Sequence, residues 1–113
     1  MATEWSDSIT ICDLSDEPEF SEEINEVTNR LQEMSNEETP HVILNMSAVT
    51  YLNSSNLAQL LRLRRAVTDH NKKLTLCAVA DPVWSIMLLT GLDKVFTFVP
   101  DKALAIASVQ LDP

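Results

Sequence analysis

A single glycine, Gly91, serves a chain of 113 residues. Neither G-x-G-x-x-G nor G-x-x-x-x-G-K-[ST] occurs, so nucleotide binding by either glycine-rich phosphate loop is excluded. Cysteine is scarce: Cys12 and Cys77 lie far apart in apolar, strand-like segments, lack C-x-x-C pairing, and read as reduced core thiols. The two histidines, His41 and His70, have no companion ligand at short spacing, so neither a metal nor a cofactor is expected. There is no G-x-S-x-G elbow and no serine or cysteine arranged with a nearby histidine, which points away from an enzyme. No apolar run approaches the ~20 residues that a membrane-spanning helix requires. The start, Met1 to Asp7, is polar and acidic without a basic n-region. A cytoplasmic protein with no membrane insertion is expected.

Positive charge is also in short supply, with 8 lysines and arginines against 17 acids and a net charge of −9. Residues 1–40 hold twelve acids and one base, Arg30, a net of −11, whereas residues 41–113 hold five acids and seven bases, a net of +2. Phosphate-backbone binding depends on cations, so nucleic acid is disfavoured as a partner. The cluster Arg62, Arg64, Arg65, Lys72 and Lys73 is the local exception, read as a solvated helix face and its following turn. The adjacent pairs Glu22-Glu23 and Glu37-Glu38 read as solvated charge.

What remains is a regular alternation of patterns. Ser8-Ile9-Thr10-Ile11-Cys12 alternates and is β-branched, as a half-buried strand should be. After an acidic turn through Glu17 and Pro18, Phe20, Ile24, Val27, Leu31 and Met34 recur at steps of four and three, placing them on one helix face. The continuous run His41 to Asn45 predicts a strand covered on both faces. Leu57, Leu60, Leu61, Leu63 and Val67 form a second helical stripe, introduced by the capping-type residues Asn53-Ser54-Ser55-Asn56. Leu74 to Ala80 reads as a buried strand, Asp81-Pro82 as an N-cap followed by proline at the first helical position, and Gly91 as a left-handed helix stop. Val95 to Val99 is a last strand, and Pro100-Asp101 opens a final helix running to about Val109. The predicted helices cover about residues 19–35, 54–70, 82–90 and 101–109. Strands alternating with helices across short connections imply an α/β fold, one domain over residues 1–113, with a mixed, mostly parallel sheet of four to five strands and about four helices.

One segment stands out: a buried strand runs through Asn45-Met46-Ser47 into Asn53-Ser54-Ser55-Asn56-Leu57, with two hydroxyls in the first turn of a helix. The unpaired amides of that turn and the positive end of the helix dipole favour an anion there. The stretch resembles the D-x-S-x-x-x-x-x-D-S-S-G-L-like signature of STAS domains of the anti-sigma factor antagonist type. A second match, the family's S/T-G-L helix end before a hydrophobic strand, is Thr90-Gly91-Leu92 followed by Val95-Phe96. The resemblance covers about residues 8–110. It implies a bacterial, non-enzymatic protein-binding module of signal transduction and transcription regulation, with Ser54 (alternatively Ser55) as phospho-acceptor and an anti-sigma factor or serine kinase as partner. A constitutive adaptor or scaffold subunit that binds a transport ATPase or signalling complex is the alternative. Two positions depart from the family's pattern: Asn53 stands for aspartate, removing a charge, and Asn56 for glycine, adding a side chain that is expected beside the acceptor. The opening strand region looks shorter than the family's hairpin. Asn53, Ser54, Ser55 and Asn56 are the expected docking residues; the short helix Val83 to Leu89, apolar almost all round, reads either as a deeply packed core helix, the somewhat favoured reading, or as an exposed docking patch with Trp84 and Met87 as its anchors.

Overall fold

The computed structural model describes residues 3–111. The strands are β1 (Thr3–Trp5), β2 (Ile9–Ser15), β3 (His41–Ala48), β4 (Leu74–Cys77) and β5 (Thr97–Val99). The helices are α1 (Glu19–Gln32), α2 (Ser54–Thr68), α3 (Asp81–Thr90) and α4 (Lys102–Leu111), with a 3-10 turn at Leu92–Lys94. The sheet order follows the chain, β1-β2-β3-β4-β5. β1 is antiparallel to β2, and every later pair is parallel. The mixed, mostly parallel sheet and four helices agree with the expectation. The opening hairpin is present after all, in register Thr3 to Cys12 and Trp5 to Thr10.

β3 lies at the centre because Val42, Ile43 and Leu44 are fully buried on both faces. On one side Val42, Leu44 and Met46 join Phe20, Ile24, Leu31, Leu60, Leu63 and Met87 from α1, α2 and α3. On the other, Ile43 and Cys77 lie under Ala105 and Val109 of α4 alone. A sheet with residues of both faces buried needs helices on each, and the 3.6-residue spacing in α1 supplies one. The edge strand β1 is tied to α1 by Thr3 Oγ1, which donates to Glu23 Oε2 at 2.6 Å, and by the Arg30 guanidinium 4.1 Å above the Trp5 ring. Burial pushes the Cys12 thiol up to about 12, and the Cys77 thiol is raised for the same reason. Both therefore stay protonated core groups.

Among the boundaries that differ from those expected, three have a plain local reason. β4 stops at Cys77 because Ala78 takes a left-handed conformation, φ 56°. β5 starts at Thr97 because the amides of Val95 and Phe96 donate to the Leu92 carbonyl, at 3.0 and 3.2 Å, closing a tight turn. The N-cap of α3 is Ala80, so Asp81 and Pro82 fall one position further into the helix. Gly91 does stop α3 at φ 76°, which a side chain would disfavour.

Within α3, Met87 is fully buried, so it is a core residue and not a docking anchor; the helix turns Leu88 and Leu89 outward instead, at 52% and 87% exposure. Truncating Met87→Ala should cost about 2–5 kcal/mol, whereas Leu89→Ala should stay within about 0.5 kcal/mol of wild type, read by chemical denaturation.

Candidate functional site at the start of helix α2

Parallel β-α units bring their strand-to-helix connections to one end of the sheet. Here the β2–α1 turn, carrying Asp16 and Glu17, meets the β3–α2 connection, carrying Thr50, Tyr51 and Asn53. Between them lies an open hollow of about 460 Å³, lined by those five residues and Asn56.

Asn53 is the N-cap of α2, in extended conformation (φ −98°, ψ 176°). Its Oδ1 accepts from the Asn56 amide at 2.8 Å, and Asn56 Oδ1 accepts from the Asn53 amide at 3.0 Å, a reciprocal capping box. Asn56 is 2% exposed. The side chain expected beside the acceptor is thus turned inward, where its Nδ2 donates to Gln59 Oε1 at 3.2 Å and to Glu17 Oε2 at 3.4 Å. Gln59 Nε2 in turn donates to Ser21 Oγ at 3.0 Å, and the Ser21 amide donates to Glu17 Oε1 at 2.7 Å. Ser54 and Ser55, the first two residues of the helix, are exposed. Neither hydroxyl is hydrogen-bonded among the described residues, because the two asparagines do the capping.

The carboxylates beside this turn are held ionised. Asp16 accepts from Thr50 Oγ1 at 2.6 Å and from the Thr50 amide at 2.8 Å, and these bonds hold its carboxyl below the usual range. Glu17 is lowered by the Ser21 hydroxyl first, then by the Ser21 amide and by Asn56. Asp16, Glu17, Thr50 and Gln59 were not singled out by the sequence pattern. The one signal available was the acidic turn at Asp16-Glu17-Pro18, and its placement needs the topology. Of the expected docking residues, the structure brings Asn53, Ser54, Ser55 and Asn56 together on one helical turn. Trp84 does not line the hollow; its ring is half-buried and edge-on to Phe98 at 5.1 Å. Among the described residues no group of three His, Cys, Asp or Glu could hold a metal ion.

Two measurements check this construction. Asn53→Ala should lose about 0.5–2 kcal/mol of stability with the cap, and Asn56→Ala about 1–3 kcal/mol, since it also strips partners from buried Gln59. Because Asp16 and Glu17 titrate lower in the folded chain, the stability they confer is present above the ordinary carboxylate range and is lost as pH falls through their folded values. Thr50→Ala should raise the Asp16 carboxyl toward its ordinary value in a side-chain carbon NMR titration.

A family model described as STAS domain matches residues 3–105. Among solved structures, the fold is similar to an anti-sigma-factor antagonist (STAS) domain protein from Planctomyces limnophilus, at 16% identity over 96% of each chain with a TM-score of 0.79. It is similar to the anti-sigma factor antagonist SpoIIAA in its unphosphorylated form, at 14% identity over 96% of this chain and 94% of that one, TM-score 0.78. It also resembles a sulfate transporter family protein from Wolinella succinogenes, at 22% identity over 93% of this chain and 88% of that one, TM-score 0.72. At these identities the structural likenesses establish the fold, and the match to the family model establishes the lineage: the chain belongs to the STAS domain family.

Proposed function

We propose that the protein is a non-enzymatic regulatory module of the cytoplasm that docks onto an anti-sigma factor or its serine kinase through the first turn of α2, and that phosphate on Ser54 releases it. The observation that carries this reading is the exposure of Ser54 on a turn capped entirely by Asn53 and Asn56, which leaves its hydroxyl accessible and without an intramolecular duty. A phosphate adds about 1.5 to 2 negative charges. It would stand on the same helical turn as Asn53 and Asn56, which border the hollow lined by Asp16 and Glu17, and its charge would repel an acidic patch and oppose desolvation of an apolar one. The likeness to anti-sigma factor antagonists supports the class of partner. Ser55, exposed one residue on, is the alternative acceptor. No helix of the described residues is long and apolar enough to cross a membrane.

A second reading, a constitutive adaptor that binds a transport ATPase or a signalling complex without phosphorylation, is favoured by the amide at position 53 and by the likeness to a sulfate transporter family protein. On either reading Trp84 contributes at most its accessible part to docking, beside the outward Leu88 and Leu89.

The two are separated by substitution at the acceptor. Ser54→Ala should bind the partner as wild type and Ser54→Asp should bind at least about tenfold more weakly, a difference of about 1.4 kcal/mol read by calorimetry with the partner recovered from the source cells. Since Asn53 supplies the cap, neither change should lower the melting temperature by more than a degree or two's worth of a surface substitution, about 0.5 kcal/mol. Equal binding by both variants, with no phosphate on Ser54 or Ser55 in cells, would establish the constitutive adaptor instead.

A further inference from the structure

The five bases that form one cluster in the sequence divide in space. Arg62 and Arg65 lie along a groove shared with Gln32, Asp69 and His70, where Arg65 Nε stands 4.0 Å from Asp69 Oδ2. Arg64, Lys72 and Lys73 line a different hollow of about 380 Å³, between the end of α2 and the starts of β4 and β5. Its polar wall also carries the hydroxyls of Thr68, Thr97 and Ser108. Its apolar wall is Leu74, Val95 and Phe96. Among the described residues no aspartate or glutamate lines it, although the chain has 17 acids and only 8 lysines and arginines. Arg64 and Lys72 have no carboxylate partner among the described residues, and both are half-buried where they line the hollow, so their charge adds to its positive field.

The neighbouring histidine feels that field. His41 Nδ1 accepts from the Lys73 amide at 3.0 Å, and its pKa is lowered, first by burial and then by Lys72 and Lys73. A dianion in the hollow would offset this field. The guanidinium fork of Arg64 suits the paired oxygens of a phosphate, and Lys72 supplies a second, point-like cation. The volume exceeds what inorganic phosphate alone fills, and the apolar wall gives an attached organic group a surface to lie on.

We propose that this hollow binds a phosphate monoester of a small organic molecule, with the phosphate held by Arg64 and Lys72 and the organic body against Leu74, Val95 and Phe96. The site is separate from the docking turn. Arg64 and Thr68 follow Ser54 along the same helix by about 15 to 20 Å at 1.5 Å per residue.

Proton–nitrogen NMR of the full chain at constant ionic strength tests this, with inorganic phosphate and phenyl phosphate as probes and chloride as the control. Saturable shifts are expected at the amides of Thr68, Thr97 and Ser108, with phenyl phosphate binding more tightly than inorganic phosphate. The His41 imidazole should titrate higher when either probe is bound. Arg64→Gln should weaken phenyl phosphate roughly tenfold, as the loss of a charge-assisted contact implies. Lys72→Gln should raise the His41 pKa without any probe and blunt its response to phosphate. Shifts no larger than those from chloride, shifts confined to Ser54 and Ser55, equal affinity for the two probes, or unchanged affinity in Arg64→Gln would each overturn the assignment.

Discussion

The buried amide of Asn56 is the joint on which the candidate site depends. An amide taken out of water needs its hydrogen bonds, at a cost of about 1–3 kcal/mol for each group left unpaired. Asn56 meets that demand by bonding Asn53 on its own helix, Gln59 one turn on, and Glu17 across the gap to the β2–α1 turn. Through Gln59 and Ser21 the same network reaches into α1. Two helices and two loops are therefore linked by one network centred on this side chain, and the serines between Asn53 and Asn56 are relieved of any capping role. Structural duty and accessibility fall to different residues of the same turn.

That division also explains how far the sequence could be read. The strands and helices were legible because burial imposes period on them: two faces for β3, one stripe for α1, a proline near the start and a glycine at the end of α3. The short opening strand was not, since Thr3–Trp5 has only three residues and takes its meaning from pairing with β2 and from the Arg30–Trp5 contact. The ends of β4 and β5 were misplaced because the left-handed Ala78 and the 3-10 turn before Phe96 leave no mark in hydrophobic period. Met87 shows the same limit within a helix. An all-round apolar segment does not reveal which side faces the sheet until the sheet is in place.

At the site, the turn Asn53 to Asn56 was legible through its capping chemistry, but the inward course of Asn56 was not. Nor were Asp16 and Glu17, which sit 34 and more residues away from Thr50 and Asn56 in sequence. They reach the hollow because parallel pairing of β2 with β3 brings both strand ends to one edge. The five-base cluster fails in the opposite way: contiguity in sequence suggested one patch, and the helix separates it into two, since Arg64 faces away from Arg62 and Arg65.

The amide at position 53 has a physical logic within this arrangement. Aspartate and asparagine cap a helix about equally well, so the cap itself does not choose between them. Charge does, because Asp16 and Glu17 line the same hollow and are both held ionised by bonds from Thr50 and Ser21. A third carboxylate there would add like-charge repulsion of the same order as the helix-dipole gain, about 0.3–1 kcal/mol at an exposed terminus. With Asn53 the cap forms without that charge, and the hollow's negative potential comes from the β2–α1 turn alone. Any partner that senses charge at the start of α2 therefore reads Asp16 and Glu17 together with whatever Ser54 carries, and the contrast between a bare hydroxyl and a phosphate is set against two fixed charges.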